Sequence, residues 1–117
     1  HSKVREIALK SKAAAILSAL DATASRPAAT ALIAALISTI YGHPLRSVVE
    51  LRGRDFSHDG KLRLGADEIR LDGKVTTALK KWLTWTSDDK LIFASTRRTG
   101  PLSLSVIAYH VKAATNG

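Results

Sequence analysis

A chain of 117 residues with 45% apolar and 24% charged side chains holds enough material for one globular domain with a real core and too little for two. Eighteen Lys and Arg against ten Asp and Glu leave a formal charge of +8, which on so small a surface favours a polyanionic partner, nucleic acid first, over a merely basic surface. With no cysteine there is neither a disulfide framework nor a thiolate metal site, which argues against redox chemistry and suits a cytoplasmic protein.

The longest apolar run, AATALIAALISTI, falls short of the about 20 residues that span a bilayer, and no signal-peptide pattern precedes it, so no membrane anchor is expected. His1 and Ser2 read as a tag remnant and carry no functional weight. From Val4 to Leu20, the apolar residues Leu9, Ala13, Ile16, Leu17 and Leu20 recur at helical spacing while Lys10 and Lys12 fall off the stripe, which predicts an amphipathic helix. Ser25 can cap the next helix and Pro27 is tolerated in its first turn. Ala28 to Ile40 is apolar on all sides, the pattern of a helix enclosed by its neighbours. Gly42 and Pro44 stop it, and LRSVVEL can add one or two further helical turns.

After Asp55 the periodicity changes. FSHDGKLRLGADEIRL alternates Leu62, Leu64, Ile69 and Leu71 with the turn signals HDG and GAD, which predicts a small antiparallel sheet. Val75, Ala78, Leu79, Trp82 and Leu83 return to helical spacing, with Trp82 expected in the core. KLIFAS is a short apolar piece, TRRTGP a polar turn, and Ser103 can cap a last helix with Leu104, Ile107, Ala108 and Val111 on one face. The expected architecture is α+β over residues 1–117, mainly helical, with a small three-stranded antiparallel sheet.

In this order the elements resemble the first half of a tyrosine recombinase, or phage integrase, catalytic domain. In that family a core helix ends in a Thr-Gly-x-Arg turn, a short helix with Glu-Leu and a later leucine follows, and an Asp opens the sheet. Here Tyr41-Gly42, Leu51 and Asp55-Phe56 stand at the corresponding places. IRLDGKVTTALKKWL is similar to the family's strand and following helix, and KLIFASTRRTGPLSLSVIAYHVKAATNG to its Leu-Phe segment, basic turn and capped helix. The resemblance runs from about Leu9 to Gly117 and implies a recombinase-like fold, double-stranded DNA as partner, and DNA strand cleavage and rejoining as the family activity.

The departures bear on catalysis. Pro44 occupies the place of the family's first catalytic arginine and can neither donate to a phosphate nor carry charge. Arg46 follows two residues on and would need a remodelled turn to serve. The hairpin that carries the family's lysine reads LGADEIR, with Arg70 near but off position, and the family's His-x-x-Arg motif, second His or Trp and nucleophilic Tyr would fall after Gly117. A tyrosine nucleophile works only with several cationic donors around the phosphate, so no catalytic residue is assigned and the chain as it stands is not expected to be an enzyme. Tyr109, beside His110, reads as a residue flanking a packed helical face.

No cofactor or metal is expected: His43, His58 and His110 lack ligand spacing, and GRD, DGK and TGP lack the repeats of a phosphate loop. The candidate DNA-binding residues are cationic. Arg46, Arg52 and Arg54 surround the turn after the core helix, Lys61 and Arg63 share one strand parity, Arg97 and Arg98 crown a turn before a helix, and Lys112 lies on that helix. Lys80, Lys81 and Lys112 also fit an ordinary solvated helix face, and Trp85 fits either base stacking or burial against another domain. The leading expectation is a DNA-binding integrase-like domain with an incomplete catalytic set, acting in DNA recombination, integration or their regulation. Two alternatives stay open: a fragment of an active recombinase, and a protein-interaction module whose basic face meets an acidic protein surface or recruits a recombinase partner, with a second copy of the chain as a further candidate partner.

Overall fold

The computed structural model describes residues 2–23, 25–57, 59–82, 91–93, 100 and 102–116. Helix α1 spans Ser2–Ala22, and α2 spans Arg26–Tyr41. Ser25 caps α2 as its residue type predicts: its backbone is extended and its Oγ accepts from the Ala28 N–H at 3.5 Å, with proline in the first turn. Gly42 ends α2 in the left-handed conformation, φ 71°, and its N–H donates to the Ser38 carbonyl. Every residue from Ala29 to Ile37 is buried, because α1, the short helix α3, Leu45–Val49, and two later helices, α4, Gly73–Trp82, and α5, Leu104–Asn116, all pack on α2.

A single 3₁₀ turn, Gly53–Asp55, leads into the sheet. Strands β1, Phe56–Ser57, β2, Lys61–Leu64, and β3, Asp67–Arg70, pair antiparallel in sequence order. Leu64 pairs with Asp67, leaving Gly65 and Ala66 as a two-residue turn whose first residue has φ 62°, the glycine-first arrangement that matches strand twist. Helix α4, Gly73–Trp82, begins where the Asp72 carboxylate accepts from the Lys74 N–H at 2.9 Å. Helix α5, Leu104–Asn116, is capped by Ser103, whose Oγ accepts from the Ser105 N–H.

The fold is α+β, mainly helical with a three-stranded antiparallel sheet. Its buried residues form one cluster centred on α2, joined by Phe56, Leu62 and Leu64 from the sheet, Val75 and Leu79 from α4, and Ile107 from α5. Residues 91–93 belong to it as well. Leu91 bridges Arg52, the Ile92 N–H donates to the Leu51 carbonyl, Phe93 is fully buried, and its carbonyl accepts from Leu102. Among the described residues no helix is long and apolar enough to cross a membrane.

Two expectations are corrected. Leu104 and Ala108 do not share the packed face of α5; they are exposed, and the row on the core is Ile107, Val111 and Ala114. Apolar residues wrap more of α5 than its neighbours cover, so packing against α1 and α2 selects the row. Tyr109 is 71% exposed, and its ring meets that of His110 edge to face. Trp82 is partly rather than fully buried, with the Lys81 ammonium 5.3 Å from its ring centroid.

Candidate nucleic-acid interface

The alternation of β2 separates a charged outer face from a packed inner one. Leu62 and Leu64 point into the core, while Lys61 and Arg63 point outward. Cross-strand register extends this outer face to Arg70, opposite Lys61, and Glu68, opposite Arg63. A shallow groove beside it is lined by Arg54, Asp59, Lys61, Arg63 and Glu68. Three of the eight candidate DNA-binding residues, Arg54 of the 3₁₀ turn and Lys61 and Arg63 of β2, therefore come together along this groove.

Two cations directly opposite each other repel, and the Lys61–Arg70 pair is offset by carboxylates. The Lys61 ammonium lies 3.6 Å from Glu68 and 3.8 Å from Asp59. A hydrogen bond with the Ser57 side chain, aided by the charges of Lys61 and Arg70, holds the Asp59 carboxyl below the usual aspartate range. Asp55 instead shapes the backbone, where its Oδ2 accepts from the Arg52 N–H at 2.9 Å and closes the 3₁₀ turn.

Of the other candidates, Arg46, Arg52 and Lys112 lie elsewhere. Arg46 is exposed on α3, two residues beyond an exposed Pro44 that starts that helix with φ −65°. Arg52 is partly buried beside Leu91. Lys112 lines a different groove, with Lys12 of α1. Arg97, Arg98, Trp85 and His58 lie outside the described residues. No family model, curated protein or solved structure matches the chain.

Sequence reasoning missed the part played by Arg70, Asp59 and Glu68. Strand parity carries the signal for Arg70 and Glu68, since the two-residue turn at Gly65-Ala66 fixes which residues stand opposite Lys61 and Arg63. His43 reaches Asp67 across 3.9 Å, and among the described residues no three His, Asp or Glu side chains gather as a metal site.

Proposed function

We propose that this chain binds the backbone of double-stranded DNA as an integrase-like domain without a complete catalytic set. The observation that carries the reading is the outer face of the hairpin, where Lys61, Arg63 and Arg70 stand on a rigid sheet whose other face is anchored in the core. A rigid strand holds cations at fixed spacing, and phosphates are the ligands that such a row meets without reading base sequence. The overall charge of +8 supports the same partner by steering it toward the surface. The element order of two helices, a short helix, a three-stranded sheet and further helices agrees with what the resemblance to tyrosine recombinases implies.

Pro44 supports the non-catalytic part of the reading. In the register that the resemblance implies it takes the place of the family's first arginine; it is exposed, and its side chain has no donor to offer a phosphate. The testing experiment is a salt series of binding to a labelled duplex, with an Arg54→Ala/Lys61→Ala/Arg63→Ala variant beside the parent. Each lost phosphate contact should lower the slope of log affinity against log salt by about 0.9. An unchanged slope, or no binding by the parent at low salt, removes the proposal.

A further inference from the structure

A second groove lies between α1, α2, α3 and α5. It encloses about 370 Å³, and its apolar lining comes from Ala35 of α2, Leu45 of α3, and Ala108 and Val111 of α5. Lys12 and Lys112 line it from opposite ends of the chain. Leu104, 42% exposed, lies one turn before Ala108 on the same side of α5 and continues the apolar strip. From these features we infer that the groove docks an acidic amphipathic helix of a partner protein.

The chemistry of the lining selects this occupant. Bare phosphate would need donors besides the lysines, but two of the lining hydroxyls are engaged with carbonyls of the chain. Ser38 Oγ donates to the His43 carbonyl, and Thr115 Oγ donates to those of Val111 and Lys112. What remains is mainly apolar surface flanked by two ammonium groups, which complements a helix with leucine-like anchors and carboxylates beside them. Two alanines, Ala35 and Ala108, leave room for the close approach of about 8–10 Å between helix axes. A second copy of this chain fits poorly: a two-fold dimer through this groove would set one lysine-lined surface against an identical one, and each copy carries +8.

The probe is a synthetic peptide of about 16 residues, long enough for partial helicity, with leucines at i, i+3, i+4 and i+7 and glutamates on both flanks. A scrambled peptide of identical composition serves as control. The designed peptide should bind and shift the NMR signals of Ala35, Ala108 and Val111, while the scrambled one binds at least about tenfold more weakly, because charge alone does not give specificity. Lys12→Glu/Lys112→Glu should weaken binding by about tenfold or more through charge reversal. Ala108→Trp should weaken it too by filling the groove from an exposed position that leaves the core intact. The inference is overturned if the designed peptide fails to bind, if both peptides bind alike, or if neither variant matters. It is also overturned if a DNA duplex shifts the same signals, or if sedimentation finds a dimer that Ala108→Trp disperses.

Discussion

The Tyr41 hydroxyl accepts a hydrogen bond from the backbone N–H of Asp72 at 2.7 Å, tying the end of α2 to the residue that caps α4. That N–H belongs to the unsatisfied set at a helix start, so the tyrosine supplies a partner that α4 itself cannot. Tyr41→Phe keeps the ring and removes the acceptor. Urea unfolding should show a loss of about 1 kcal/mol; an unchanged midpoint would mean that water replaces the hydroxyl without cost.

Gly60 has φ 91°, and a Cβ there would come 3.3 Å from Thr76 Oγ1. Gly65 has φ 62° but open space around it. Alanine at either position incurs the left-handed penalty of about 1–2 kcal/mol, and at Gly60 the crowding adds to it. Gly60→Ala should therefore melt below Gly65→Ala, and the reverse order would show that the hairpin shifts freely against α4.

Phe93 is fully buried, and its carbonyl ties residue 93 to Leu102. Phe93→Ala should cost about 3–5 kcal/mol, the range for deleting a core aromatic ring. Denaturant titration followed by far-ultraviolet dichroism measures it directly. A cost near zero would mean that residues 91–93 are not integral to the core.

Asp59 offers a pH test with a definite sign. Its folded carboxyl is held below the unfolded value by the hydrogen bond with Ser57 and by Lys61 and Arg70. It therefore contributes stability above the unfolded pKa, and that contribution is lost as pH falls through the folded pKa. An NMR titration should give Asp59 a midpoint below the ordinary aspartate value, and Ser57→Ala should move it upward. A midpoint that ignores Ser57→Ala would assign the shift to the cations alone.

The carboxylates beside Lys61 also yield an expectation opposite to that of the alanine variants. Glu68→Gln and Asp59→Asn remove its two ion-pair partners while keeping side-chain size. If the hairpin meets DNA, the double variant should bind a duplex more tightly by about threefold or more, since two repulsive charges of modest strength leave the interface. Unchanged affinity would place the contact away from β2.

Local chemistry made much of this fold legible. Ser25 and Gly42 mark the ends of α2 because caps depend on a few adjacent residues, and the parity of Lys61-Leu62-Arg63-Leu64 assigns the faces of β2 because pleating is strictly periodic. The packed row of α5 was not legible, since Leu104, Val106, Ile107, Ala108 and Val111 spread around the helix and only neighbouring helices choose among them. Nor was the pairing of residues 91–92 with Leu51 and Arg52, which depends on distant chain segments meeting. Of the candidate interface, the cations of β2 were readable, but the carboxylates that restrain Lys61 depend on register; the placing of Lys12 and Lys112 along one separate groove depends on the whole helical packing.

Among the described residues, the sheet ends, on one side, in β3, a four-residue strand reading Asp67-Glu68-Ile69-Arg70, and on the other in the two-residue β1. Short margins and closely spaced charges of both signs make poor templates for an added strand, because an incoming backbone would gain few hydrogen bonds while desolvating ionised groups. This small three-stranded sheet, in a chain rich in alanine and leucine, is thereby guarded against fibrillar stacking along its edges.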